Sequence, residues 1–149
     1  MFSDGETTHE PAIEIDYRVE AGNWEQAVAR DGNALAKVMD QTFAAIMDHL
    51  SSRQARAVLC GSEVSVLFSD DAHIRVMNRD YRRQDKATNV LSFPQKPADA
   101  PFFGPYLGDI ALAYETVYRE AENDNKSFLH HLQHLLVHGF LHLVGYDHE

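Results

Sequence analysis

Cysteine is nearly missing from this 149-residue chain: Cys60 is the only one. One thiol excludes an internal disulfide and leaves a metal site built on thiolates without ligands, which fits a reducing compartment such as the cytoplasm. Cys60 itself, next to Val58 and Leu59, reads as a small core residue. No apolar run approaches the roughly 20 residues that a membrane-spanning helix needs. Residues 1–10 lack both a basic start and an apolar centre, so they do not read as a signal peptide; an acidic, disordered tail is expected there, with one domain over 11–149. Positive charge is scarce too. Thirteen Lys and Arg face 23 Asp and Glu, a net charge of −10, whereas phosphate binding is usually driven by cations. Proline is sparse and clustered: four of the five lie between Pro94 and Pro105, which marks that stretch as a loop.

What the chain does contain is ordered. Ile13, Ile15, Tyr17 and Val19 alternate with Glu14, Asp16 and Arg18, the period of a half-buried strand. Trp24 to Arg30 suits a short helix. A longer one, capped by Asn33, is expected to about Leu50 from the spacing of Leu35, Val38, Met39, Ile46 and Leu50. A strand region lies within 57–68, with a bend at Gly61-Ser62. A helix capped by Asp70 or Asp71 follows, with Ile74, Met77 and Tyr81 inward and Arg75, Arg79 and Arg82 on the flank. Asn89 to Phe93 suits a short strand stopped by Pro94. Asp109 to Tyr114 suits another, with Ile110, Leu112 and Tyr114 on one side. Helices are expected from Glu115 to about Asn123, and from a Ser127 cap to about Val144, where Gly145 ends the last one. The sum is one α/β (α+β) domain: a mixed sheet of about four strands covered by about five helices.

Basic residues gather in one place. Arg75, Arg79, Arg82, Arg83 and Lys86 stand against Asp80 and Asp85, five against two, a local +3 on an acidic chain. Histidines gather in another: six of nine fall between His130 and His148. His130, His134, His138 and His142 form an i, i+4 ladder on one helix face. The stripe of Leu129, Leu132, Leu136 and Leu143 lies roughly 100° around the helix, so the ladder borders the core at a cleft edge. His138 and His142, with His148 after a glycine turn, can converge on one Zn²⁺ and leave its fourth position open, the arrangement of a catalytic site. His134 and Asp147 are candidate outer partners that orient the ligands. His130 and His131 read as surface residues; His9, His49 and His73 have no supporting context. The spacing His-x-x-x-His-x-x-Gly-x-x-His also occurs in zinc proteases, but those need Glu directly after the first histidine as general base. Here that position is Gly139, so a peptidase lacks its base. A mid-helix glycine costs about 1 kcal/mol against alanine, which asks for a close approach at that point.

Two segments resemble the YbeY family of metal-dependent endoribonucleases. One runs from His138 to His148 (HGFLHLVGYDH), the other from Met77 to Pro94 (MNRDYRRQDKATNVLSFP), and Leu107-Gly108-Asp109-Ile110 also suits the family. The resemblance covers the chain from about Ile13 onward. It implies one Zn²⁺ per chain on His138, His142 and His148, and an active cleft lined by Arg82, with Arg82 and His138 as the catalytic residues. It implies single-strand-type endoribonuclease activity in the cytoplasm, acting on ribosomal RNA at the small-subunit 3′ end and in ribosome quality control, with the ribosome or small-subunit proteins as partners and no membrane. Two positions depart from the family pattern. Ala87 stands where proline is usual, which loosens a loop without removing a chemical group. The sequence also stops at Glu149, where relatives continue into a further acidic helix.

Arg82 offers a rigid fork of donors to a phosphate, and Arg79, Arg83 and Lys86 are the candidates for following the RNA backbone. No general base stands out; Asp85 and Asp147 are the carboxylates at hand, and Asp147 equally suits a cap on the turn before His148. Imidazoles also suit other transition metals. Two other readings are compatible with the residues: a zinc hydrolase of another substrate, and a ribosome-assembly factor whose zinc is a structural clamp with little catalysis. No feature of the pattern specifies an oligomer.

Overall fold

A computed structural model describes residues 13–50, 58, 61–95 and 102–145. The expected tail, Cys60, Asp147 and His148 lie outside the described residues. Strand β1 (Ile13–Val19) leads into helices α1 (Trp24–Arg30) and α2 (Leu35–His49), then strand β2 (Ser62–Ser69) and helix α3 (Asp71–Arg82). Strands β3 (Val90–Pro94) and β4 (Tyr106–Ala113) follow, then helices α4 (Tyr114–Asn123) and α5 (Phe128–Leu143). The four strands form one mixed sheet in the order β1-β2-β4-β3. The pairs β1–β2 and β2–β4 are parallel, and β3 runs antiparallel to β4. Among the described residues, then, the expected mixed sheet and five helices are present.

The alternation in β2 decides which helices cover which face. Val64, Val66 and Phe68 are buried and pack with Ile110 and Leu112 of β4 against the apolar sides of α1, α2, α4 and α5. Trp24 anchors this side: it is fully buried, donates its indole N–H to the Ala21 and Ser69 carbonyls, and meets Phe68 with ring centroids 4.9 Å apart. Residues of opposite parity, Leu67, Ala111, Ala113 and Leu91, form a smaller cluster under Ile74 and Met77 of α3. The N-termini of α3 and α4 cap one another. Glu115 accepts from the Asp71 backbone N–H, and Asp71 accepts from the backbone and hydroxyl of Thr116.

Two helix starts match expectation: the side chain of Asp70 accepts from the His73 N–H, and that of Ser127 from the His130 N–H. The start of α2 differs. Ala34 is its N-cap, and the orphan Leu35 N–H finds Glu25 Oε1 of α1 at 3.2 Å instead of Asn33. Pro94 lies inside β3 as its last residue, tolerated because β3 is an edge strand. Strand β4 starts earlier than expected, at Tyr106, and Tyr114 opens α4 instead of closing the strand. Gly108 allows a bulge in β4 at this point: φ is +137°, and a Cβ would collide with the Phe93 carbonyl of β3.

Candidate active site

Helix α5 places the histidine ladder. Its core side, Leu132, Leu135, Leu136, Phe140 and Leu143, is buried, and His138 and His142 sit half-buried beside it. Their rings are one helical turn apart, with centroids at 4.7 Å and an interplanar angle of 65°. Two imidazoles on one tetrahedral ion, with metal–nitrogen distances of about 2.0–2.1 Å, have ring centroids about 5 Å apart. The pair therefore fits a shared cation. Among the described residues no group of three or more His, Cys, Asp or Glu side chains is gathered for a metal; the third expected ligand, His148, is outside them.

Gly139 explains how the ladder reaches the sheet. A Cβ there would stand 3.1 Å from Ile110 Cγ2 and 3.3 Å from Ser92 Oγ, tighter than ordinary contact. The glycine lets α5 lie directly on β3 and β4. Ser92 of β3 then joins the two segments that carry the chemistry. Its hydroxyl donates to the Gly139 carbonyl at 3.2 Å, between the two histidines in sequence. Its own carbonyl accepts from Arg82 Nη2 at 3.0 Å. Ser92 was not singled out from sequence; the hydroxyl in an otherwise apolar short strand was the signal. Arg82 ends α3 and spends one of its five donors on Ser92, so the rest of the fork can meet an anion.

The other basic residues divide. Arg75 is tied to Asp85 at 2.7 Å and Arg79 to Asp80 at 3.2 Å, all exposed. The hydrogen bond from Arg75 holds the Asp85 carboxyl below its usual 3.8, so Asp85 is a poor proton acceptor. Arg83 caps α3 with φ of +59°, which turns the chain sharply there. Lys86 and Arg82 line a shallow depression of about 230 Å³ with Asn78 and Thr88. Asn78 is buried and its amide donates to the Lys86 carbonyl, fixing the basic loop against α3.

Two expectations about side-chain placement, for Tyr81 and His131, are corrected. Tyr81 does not face inward; it is 73% exposed, because no described element covers that part of the sheet beyond α3. His131 is 5% exposed rather than on the surface: it pairs through Nε2 with Glu120 of α4 at 2.8 Å, and Glu120 also accepts from Asn89 just before β3. His134 is exposed, one turn before His138, and stacks on His131 at 6.3 Å. No described helix is long and apolar enough to cross a membrane.

Comparison with known proteins gives a consistent result. The sequence model of the family described as Endoribonuclease YbeY matches residues 23–149. The chain is 46% identical over 140 residues to Endoribonuclease YbeY of Bartonella henselae, covering 92% of this chain and 81% of the relative. It is 47% identical over 140 residues to Endoribonuclease YbeY of a Chelativorans species, covering 93% and 79%. The solution structure of TM1509 from Thermotoga maritima superposes with a TM-score of 0.53 at 25% identity, over 93% of this chain and 75% of that one.

Proposed function

From the membership of this chain in the YbeY family of endoribonucleases, we propose that it cuts single-stranded stretches of ribosomal RNA precursors, the small-subunit 3′ end among them, at a site formed by His138, His142, His148 and Arg82. The observation that supports this most directly is Ser92. One residue hydrogen-bonds both Arg82 and the turn of α5 that carries the paired histidines. The paired histidines and an anion-binding fork are therefore held through one strand residue, an arrangement that suits phosphodiester cleavage.

In this reading His138, His142 and His148 hold one Zn²⁺. When bound, the ion supplies Lewis-acid polarisation at the scissile phosphate and a more acidic water. Arg82 presents its remaining N–H groups to the non-bridging phosphate oxygens and stabilises charge as the phosphorus becomes pentacoordinate. Held to the Ser92 carbonyl, it gives up less side-chain freedom on binding substrate. Arg83 and Lys86 follow the flanking phosphates, and Arg79 joins them if it exchanges Asp80 for RNA. His134 and Asp147 orient the ligand side chains. The work is done in the cytoplasm, in ribosome maturation and quality control, next to the ribosome or its small-subunit proteins.

The test is RNA cleavage in metal-defined buffer by the parent, His142→Ala and Arg82→Glu, with the metal content of each measured. We expect the histidine variant to lose metal and activity together. The arginine variant should keep its metal and lose at least about 10²-fold in kcat, the scale of one charge-stabilising donor. Parental cleavage by both variants would overturn the assignment.

A further inference from the structure

The sheet face opposite the histidine helix carries a groove of about 960 Å³. Strand register explains its floor. Asp16 pairs with Ser65, Ser65 with Asp109, and Asp109 with Phe93, so these four form one row across all four strands. They have the same parity as Leu67 and Ala111, the residues facing α3. Helix α3 covers only part of this face, and Tyr81, near its end, stands at the margin of the groove, edge-on to Phe93 with ring centroids 5.7 Å apart. Tyr106 donates its hydroxyl to Asp109; burial, and then that carboxylate, raise the Tyr106 pKa above its ordinary 10.0, so it stays a donor.

Two neighbouring hollows differ in their balance of charge, carboxylates outnumbering cations only in the groove. The groove floor holds the carboxylates Asp16 and Asp109, with the cation Arg18 two residues on from Asp16 on the same face. The shallow depression beside it is lined by the next residue along each segment, Arg82 after Tyr81 and Leu91 before Ser92, and carries Arg82 and Lys86. Cations suit phosphates. An aromatic next to carboxylates suits the flat, donor-bearing part of a nucleotide, its base. We propose that the groove is a subsite for one unpaired base of the RNA, stacked on Tyr81 and read along its donor edge by Asp16 and Asp109, with guanine preferred. Guanine offers a carboxylate two parallel donors, N1–H and the N2 amino group, where uracil offers one. This rests on the ribonuclease reading and adds a specificity determinant to it. The RNA strand crosses β3, the end strand of the described sheet, with phosphate at Arg82 on one side and a base at Tyr81 on the other.

The experiment compares the parent with Tyr81→Ala, Tyr81→Trp and Asp16→Asn. Cleavage of a single-stranded RNA is followed for KM and kcat. Binding of labelled oligonucleotides, all-uridine or with one guanine, is measured in the His142→Ala background. Tyr81→Ala should raise KM about tenfold, the scale of one lost base stack, and change kcat less than about twofold. Tyr81→Trp should keep the parental KM, with a tryptophan emission that RNA quenches. The parent should favour the guanine oligonucleotide about fivefold, and Asp16→Asn should remove most of that preference. Parental KM and binding in Tyr81→Ala would overturn the subsite while leaving the ribonuclease intact. So would a fall in kcat at unchanged KM, which would mean that Tyr81 only supports Arg82. A parent that neither binds nor cuts single-stranded RNA would overturn the ribonuclease reading as well.

Discussion

The two faces of the sheet are covered very unequally. One lies under α1, α2, α4 and α5, with Trp24, Phe68, Leu136 and Phe140 fully buried between the layers. Among the described residues, the other has α3, a small cluster around Ile74, and an open groove. Most of the apolar burial, and so most of the folding free energy, belongs to the first face. Among the described residues the second is the more open, and the proposed site sits where the two meet, at strand β3. Stability and recognition are thus separated by the thickness of one sheet.

Substitutions can break that separation or sharpen it. The largest effect is expected at Phe140, fully buried with its ring 5.4 Å from that of Phe43. Phe140→Ala should cost about 3–5 kcal/mol in urea unfolding. Leu67→Ala, half-buried on the α3 side, should cost less than about 2 kcal/mol because the groove already relieves its packing; equal costs would erase the contrast between the faces. Gly139→Val probes the contact between helix and sheet. With Ile110 and Ser92 already tight against this position, about 1–3 kcal/mol of overpacking cost is expected, with metal affinity falling as α5 is pushed off β3. The helix caps come next. Ser127→Ala under the core and Asp70→Ala on the open face should each cost about 1 kcal/mol, showing that capping does not distinguish the faces.

The smallest effect is a pH dependence on the α3 side. The Asp70 carboxyl, bonded by the His73 backbone N–H, is held below its ordinary 3.8. Its contribution is present above that value and is lost as pH falls through the folded one. His73, bonded to Asp70, is raised above its ordinary 6.5. Its contribution is complete below 6.5 and fades as pH rises through its folded value. His73→Ala should therefore flatten the stability profile just above pH 6.5 in thermal unfolding, and leave the slope near pH 7 unaltered if the pair is inert.

Much of this was legible in the residues, for local reasons. The alternation of β1 follows from side-chain period, and the end of α1 from the Asp31-Gly32 break after Arg30. The caps at Asp70 and Ser127 follow from hydrogen bonding within one turn, and the close approach at Gly139 from a glycine that helix propensity does not favour. What was missed depends on partners far along the chain. Helical spacing put Tyr81 on an inner face, but whether that face meets a layer is set by the width of the sheet. His131 looked like surface because its carboxylate partner, Glu120, comes from another helix. Tyr114 continued the alternation of β4, yet the chain turns into α4 there, where Glu115 and Thr116 can exchange hydrogen bonds with Asp71. The row Asp16–Ser65–Asp109 exists only once three strands are in register. Of the site itself, His138, His142 and Arg82 were named from sequence; Ser92, which connects them, was not.

The bond from Arg82 to the Ser92 carbonyl has one more consequence, for the behaviour of the protein in concentrated solution. Strand β3 is a sheet border, and an uncapped border is a template on which other chains can add strands and grow into fibrils. A guanidinium lying across that border occupies one of the acceptors an incoming strand would use, and brings a charge that no stacked copy could bury. The arginine proposed for phosphate thus also makes this border a poorer template for a second copy.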